Sequence, residues 1–286
     1  MDIDLIETFL DLAESRSFNR TAERLALTQS TVSARIAALE RSLGRKLFAR
    51  SRAGTELTSA GNAFLPHALG LRHGWTEAMR ATRQTGNTAL SMRIGLQTDL
   101  ADRHVGDWVS GFRRLLPETA FYLELDYSNQ MCTDLMSGRL DLAVMFTPRT
   151  WPDLHFESVG EVNYRLVSSD VTSRAAIDPA RYIAGSYSPS FDKQHATLFP
   201  ELGDAALSSG QNRAIVGLLD ALGGTGFVLD DDARALVASG RFRFIEDAPA
   251  IPQTVYAAIH LSHRHEHVHR RLVAIIRQTF SADRAS

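Results

Sequence analysis

The stretch from Thr28 to Gly44 leaves the chain the least freedom. Val32, Ile36, Leu39 and Leu43 recur at spacings of four, three and four, which aligns them on one face of an α-helix. Thr28 supplies an N-capping hydroxyl and Gly44 a stop, so all four apolar residues are expected to be buried. At about 100° per residue, the opposite face carries Ser30, Ala34, Ala37 and Ala38, flanked by Thr31, Ser33 and Arg35. That face is polar or small throughout, so the helix backbone can come close to the floor of a groove. Gln29 and Ser30, at its exposed start, suit hydrogen bonds to base edges, and the first-turn N–H groups suit a phosphate.

The neighbouring segments complete a small domain around this helix. Leu5, Ile6, Phe9, Leu10, Leu12 and Ala13 make residues 3–14 an amphipathic helix. Ser17 breaks that pattern, and a short second helix is expected near Arg20 to Ala26, with Ala22 and Leu25 facing inward. After Gly44, the pairs Leu47–Phe48 and Glu56–Leu57 flank a polar tip, Ser51 to Thr55, which reads as a two-stranded wing with Arg50 and Arg52 near its tip. Backbone or minor-groove contact is the natural use of such arginines. Net charge over the whole chain is −2, which does not advertise nucleic acid. Its distribution does: Arg35, Arg41, Arg45, Lys46, Arg50 and Arg52 face one acid, Glu40, a local excess of six minus one positive charges.

The run SFNRTAERLALTQSTVSARIAALERSLGRKLFARSRAGTELTSAG closely resembles the signature of LysR-type transcriptional regulators. Its marks are Ala22, Gln29-Ser30, Val32-Ser33, Leu39-Glu40, Leu43-Gly44, Leu47-Phe48, Arg50, Leu57-Thr58 and Ala60-Gly61. Two residues depart from it: Thr21 stands where alanine is usual, and Ala34 replaces a frequent polar or basic residue within the reading helix. The resemblance implies a winged helix-turn-helix over residues 1–58, with Gln29, Ser30, Thr31, Ser33, Arg35, Arg50 and Arg52 at double-stranded DNA. It implies as target an interrupted inverted repeat, bound by a homodimer or homotetramer, and contact with RNA polymerase in an activator. The segment from Leu65 to Trp75 and Tyr187–Phe191 are similar to the LysR subgroup containing a repressor of the flagellar master operon.

From Thr58 a helical pattern continues to about Gly86 through Phe64, Leu65, Ala68, Leu71, Trp75, Ala78 and Met79, with Pro66 early in it. A helix of about 40 Å cannot bury its stripe within so small a head, and it needs a partner helix. The resemblance assigns residues 59–88 to dimerisation, here through Leu65, Leu71 and Trp75. Beyond the polar break Gln84 to Asn87 the chain alternates strands and helices. Strands at Leu90–Leu96, Ala120–Leu125 and Leu140–Phe146 enclose helices that Thr98 and Ser128 are placed to cap. This order predicts a parallel sheet with ligand groups at the carboxyl ends of its strands: Gln97, Thr98, Ser128, Asn129, Phe146 and Thr147. A second α/β unit starts with a strand at Tyr164–Ser168 and ends with a strand at Thr254–Leu261 and a terminal helix from Glu266 to Phe280.

The fold class is therefore α/β behind a winged helix-turn-helix head and a long linker helix. The family implies two Rossmann-like lobes resembling periplasmic binding proteins, residues 89–162 with 262–286 and residues 163–261. A small-molecule effector is expected between them, with Ser186 and Gln211 closing from the second lobe and Phe146 as an apolar wall. Two helix N-termini aimed at one point favour an anion, which suggests a carboxylate.

Other features carry less. His263/His267 and His265/His269 are i, i+4 pairs within a tract from His260 to His269, but no third ligand is evident and histidines at a helix start are usually solvated. No metal and no cofactor is assigned. Cys132, the one cysteine, reads as an inert buried thiol, with redox sensing the sharper alternative. Gly223-Gly224-Thr225-Gly226 precedes a strand and fails the dinucleotide pattern; Asp230-Asp231-Asp232 reads as a helix cap. There is no nucleophile elbow, triad or phosphate loop, and no catalytic residue is assigned. The acidic N-terminus, the single cysteine and the lack of an apolar run of roughly 20 residues predict a cytoplasmic protein without membrane contact. Two rivals remain at this point. One is a LysR-type regulator acting constitutively without effector. The other is a small-solute binding protein with no DNA role, against which the N-terminal signature argues.

Overall fold

The computed structural model describes residues 2–51, 54–83, 91–147, 151–203 and 205–283. Arg52, the break Gln84 to Asn87 and the domain boundary expected at residues 88 and 89 lie outside the described residues. The chain divides into two compact units, residues 1–90 with 133–140 and residues 91–132 with 141–286; they are called the N-terminal and C-terminal units by their larger parts.

In the N-terminal unit, helix α1 (Ile3–Ser15) starts on Asp2, whose side chain accepts from Asp4 N, and ends where Arg16 turns left-handed at φ 53°. Helix α2 (Phe18–Arg24) starts two residues earlier than expected, because Ser17 is itself the cap and accepts from Arg20 N. Helix α3 (Gln29–Leu43) starts on Thr28, which accepts from Thr31 N, and closes on left-handed Gly44. Strands β1 (Phe48–Ser51) and β2 (Gly54–Leu57) pair antiparallel as the wing. Helix α4 (Ser59–Arg83) follows and runs through Pro66.

The three-helix head has an apolar centre. Ile6, Phe9, Leu12, Val32, Leu39 and Leu47 are all buried, and the Phe9 ring meets Phe48 at 5.3 Å and Phe64 at 5.1 Å. Leu43 corrects the expected stripe: it is 39% exposed, because α3 ends there and the chain turns away before any neighbour can cover it. Thr21, the departure from the family pattern, is fully buried, and its hydroxyl is satisfied by Ser15 Oγ at 2.7 Å. Thr55 N donates to Arg16 O at 3.1 Å and fastens the wing to the end of α1.

Glu40 joins α3 to the wing. Its carboxylate is buried and accepts from Lys46 Nζ (2.6 Å), Leu47 N (2.9 Å) and Phe48 N (3.4 Å). Burial works to raise this carboxyl, but the Lys46 bond and the two backbone donors outweigh it, and the net is below the usual value.

The C-terminal unit is built on a nine-stranded mixed sheet. In chain order its elements are β3 (Ser91–Leu96), α5 (Thr98–Leu115), β4 (Ala120–Leu125), α6 (Ser128–Met136), β5 (Leu142–Met145) and β6 (Leu154–Ser168). Then come β7 (Tyr182–Gly185), α7 (Pro189–Leu198), β8 (Leu207–Ser209), α8 (Asn212–Leu222), β9 (Thr225–Leu229), α9 (Asp230–Ala238), β10 (Arg243–Phe244), β11 (Ile251–His260) and α10 (His267–Asp283). The sheet order is β4-β3-β5-β11-β6-β9-β7-β8, with β10 against β6.

The expected parallel pairing holds inside each half, where β3 pairs with β4 and β5, and β7 with β8 and β9. The halves are joined by β6 and β11, which are antiparallel to each other and to their other main neighbours, β9 and β5. Each half has its own core. Trp108, Phe112, Leu142, Val144, Val255 and Ile276 lie in the first, and Tyr164, Phe191, Phe199, Ile215, Phe227 and Ile251 in the second.

Several local expectations are revised. β6 begins ten residues before the expected Tyr164, because His155, Glu157, Glu161 and Asn163 line its partly exposed first part and mask it as a loop. α7 was not anticipated; Pro189 opens it and Ser188 Oγ caps Phe191 N at 3.0 Å. Thr98 is the first helical residue of α5, whose N-cap is Gln97. Leu229 is the N-cap of α9, so Asp230, Asp231 and Asp232 fill its first turn instead. α10 begins at His267, and His263 lies in a 3₁₀ turn before it, so the expected i, i+4 histidine pairs do not share a helix. Cys132 is buried, with Sγ 3.8 Å from Met145 Sδ. Among the described residues no helix is long and apolar enough to cross a membrane.

Candidate DNA interface and effector site

The outer face of α3 is where the periodicity places it. Gln29, Ser30, Ser33 and Ala34 are exposed, while Val32, Ile36 and Leu39 fill the core behind them. At the helix start, Thr28 Oγ1 lies 2.8 Å from both Ser30 Oγ and Thr31 Oγ1, a hydroxyl cluster at the positive end of the helix. Arg35 stands apart. Its guanidinium pairs with Asp4 Oδ2 and reaches Thr8 Oγ1 at 3.3 Å, so it braces α3 against α1. Arg50 lies on β1 opposite Thr55.

On α4, Leu71, Trp75 and Met79 are 43%, 49% and 38% exposed, at spacings that share a helix face. Leu65, expected with them, is half-buried.

In the C-terminal unit, Gln97, Ser128 and Thr147 come together from three separate strand ends. Ser128 Oγ donates to Gln97 Oε1 at 3.3 Å and accepts from Thr147 N at 3.5 Å. The Ser128 hydroxyl therefore ties strand ends together, which differs from the expected helix cap. Thr147 Oγ1 is buried and finds no hydrogen-bond partner among the described residues. From the other half, Gln211 Nε2 lies 3.5 Å from Tyr127 OH. Ser186 is exposed, and its hydroxyl donates to Asp192 Oδ2 at 2.9 Å. Asn129 is exposed on α6 and Thr98 is half-buried in the first turn of α5. Phe146 is buried, its ring 6.5 Å from Tyr164 and its carbonyl accepting from Gln253 Nε2 at 3.1 Å. Tyr164 in turn stacks on Tyr187 at 4.1 Å.

Sequence reasoning missed Tyr127, Tyr164, Tyr187, Gln253 and, above all, Asp99. Asp99 Oδ1 accepts from Asn212 N at 2.9 Å and Oδ2 from Tyr164 OH at 3.2 Å, so it bridges the two halves. Burial pushes its carboxyl up to about 6, aided by Asp102 and Asp232 and opposed by the bonds from Asn212 and Tyr164. Nothing in the local pattern marks it, since an acid in a helix's first turn is ordinary. Its consequence is that α5 already carries its own carboxylate at its N-terminal end. A separate cavity of about 300 Å³ has Asp99, Arg103, Glu161, Asp230 and Arg234 among its lining.

The comparisons with known proteins cover both units. Residues 3–62 match the family described as bacterial regulatory helix-turn-helix protein, lysR family, and residues 86–281 match the LysR substrate binding domain. The HTH-type transcriptional regulator HdfR of Yersinia enterocolitica (serotype O:8 / biotype 1B) is 30% identical over 239 residues, 80% of this chain and 81% of that protein. HdfR of Yersinia pestis (strain Pestoides F) is 34% identical over 170 residues, 59% of this chain and 57% of that protein. Among solved structures, ArgP from Mycobacterium tuberculosis matches with a TM-score of 0.59 at 20% identity, over 98% of each chain. Full-length LysG from Corynebacterium glutamicum with bound effector Arg matches at 0.56 and 17% identity, over 99% of each. These structural likenesses establish the fold. With both family models matched, the chain belongs to the LysR family of bacterial transcription regulators, and it carries the family's helix-turn-helix and substrate-binding domains.

Proposed function

We propose that this protein is a sequence-specific transcription regulator that reads DNA through α3 and is controlled by a small polar effector held between the two halves of its C-terminal unit. In this reading Gln29, Ser30, Thr31 and Ser33 face the major groove, and Arg50 and Arg52 follow the backbone or minor groove. The protein acts in the cytoplasm, as a homodimer or homotetramer joined through Leu71 and Trp75, on an interrupted inverted repeat. Its similarity to HdfR proteins supports the flagellar-repressor subgroup.

The observation that carries the effector half is Thr147 Oγ1. A buried hydroxyl without a partner costs about 1–3 kcal/mol, and a bound polar ligand removes that cost. A constitutive regulator has no use for it. The donors and acceptors around it, on Gln97 and Ser128, suit a hydroxyl, amide or carboxylate group. A carboxylate belongs on the α6 side, beside Ser128, because Asp99 already occupies the first turn of α5.

The DNA half is tested with Gln29→Ala. It is expected to weaken binding to the operator by about 1–3 kcal/mol and to leave binding to random DNA unchanged. Unchanged operator affinity in a quantitative shift assay would remove α3 as the reading helix.

A further inference from the structure

The turn between β11 and α10 gathers three side chains able to hold a metal. His263 Nδ1 lies 2.8 Å from Glu266 Oε1, and His269 Nδ1 lies 2.9 Å from Glu266 Oε2. The two imidazoles stack with centroids 4.8 Å apart, and one ligand atom from each of the three residues falls within 4.8 Å of the others. Neither sequence-spaced pair makes this group. His263 precedes the helix and His269 sits in its first turn, so the chain reversal brings together residues six apart, with Glu266 between them as the third ligand.

A simple clasp, in which the carboxylate accepts one hydrogen bond from each imidazole, does not account for the arrangement. His269 has a side chain only 7% exposed, and neither of its ring nitrogens makes a hydrogen bond of acceptable geometry among the described residues. Buried imidazole nitrogens in that state are costly, and native structures seldom keep them. One cation between the three side chains would give one of the His269 ring nitrogens and the Glu266 carboxylate a common partner. The donor set, two imidazoles and a carboxylate, suits a borderline first-row ion more than magnesium or calcium.

We propose that His263, Glu266 and His269 form a divalent-cation site of the Zn²⁺ class that pins the β11–α10 turn. With metal–ligand distances near 2.0–2.1 Å, tetrahedral ligands stand roughly 3.3 Å apart. The 2.8 and 2.9 Å contacts need to open by only about half an ångström to reach that spacing. Three protein ligands leave a fourth position for water.

The test is calorimetric titration of the tag-free full-length protein with Zn²⁺, with visible absorption of the Co²⁺ form as a second readout. The expected result is one ion per chain, a raised melting temperature, and Co²⁺ bands typical of a tetrahedral site. Even outer partners of a metal cost about 10–100-fold when lost, so Glu266→Gln and His263→Asn should each weaken binding by more than about tenfold. Both positions are partly exposed and neither substitution should unfold the chain. His265→Asn and His267→Asn, at exposed positions outside the cluster, should bind as the parent does. No binding by the parent protein at micromolar Zn²⁺ overturns the proposal. So does parental affinity in Glu266→Gln and His263→Asn, which would put the ion elsewhere in the tract.

Discussion

The head and the substrate-binding domain, the sensor of the proposed reading, arrange their candidate polar groups in opposite ways. The head turns Gln29, Ser30 and Ser33 outward from one continuous helix whose other face is core. Its candidate site is a surface, and its residues are near neighbours in the chain. The sensor draws Gln97, Ser128, Thr147 and Gln211 from distant strand ends and backs them with Phe146 and the Tyr164–Tyr187 stack. Its candidate site is only partly buried and depends on the pairing of strands far apart in sequence. A surface site on a packed helix tolerates change in its side chains without loss of fold. A site assembled from several strand ends shares its groups with the fold, and Asp99, held by Asn212 and Tyr164, belongs to both.

The sharpest break in that comparison is to remove the head's centre. Phe9 is fully buried and contacts Phe48 and Phe64. Phe9→Ala should cost about 3–5 kcal/mol and abolish DNA binding. The sensor transition should persist in calorimetry; a single transition lost as a whole would mean that the two units fold as one.

Next in size is assembly. Leu71→Glu places an uncompensated carboxylate in the expected helix pair, at a cost of about 3–5 kcal/mol. The variant should sediment at a smaller mass than the parent protein at micromolar concentration. An unchanged mass would move the dimer contact away from the Leu71–Trp75–Met79 stripe.

Asp99 ties sensor stability to pH. Its folded pKa, about 6, lies above the unfolded reference of 3.8, so the native state holds the proton more tightly. Stability therefore rises as pH falls through about 6 and the gain is complete near the unfolded value, up to about 3 kcal/mol at 1.36 kcal/mol per unit. Asp99→Asn should flatten that part of the sensor's melting profile between pH 7 and 4. A profile identical to the parent's would show that the carboxyl is not held between the two halves. Glu40 in the head has the opposite sign, since its folded value is lowered. Its contribution is present at neutral pH and is lost as pH falls below the ordinary carboxylate range.

The smallest effect on stability separates ligand groups from structural ones. Thr147→Val removes a hydroxyl that has no partner among the described residues, so it should change stability by less than about 1 kcal/mol. It should nevertheless abolish any effector-induced change in DNA binding. Ser128→Val breaks two bonds and should cost more. A Thr147→Val protein that responds normally would place the effector elsewhere.

The N-terminal head was legible in the amino-acid order because its determinants are local. Thr28, Gly44 and the Val32–Ile36–Leu39 stripe act within one helix, and the family signature spans one uninterrupted stretch. Leu43 was misjudged for a reason periodicity does not carry: it is the last residue of α3 and is 39% exposed there. The alternating elements of the sensor were legible too, except where exposed polar residues hid the first part of β6 and where α7 followed Pro189. Tertiary structure alone decided what met what. It turned Arg35 inward to Asp4 and set Asp99 under Asn212 and Tyr164. The physical reason is common to both. Propensity and periodicity state which face of an element is apolar, whereas a polar side chain's partner is set by short-range contacts that form only once distant segments have packed.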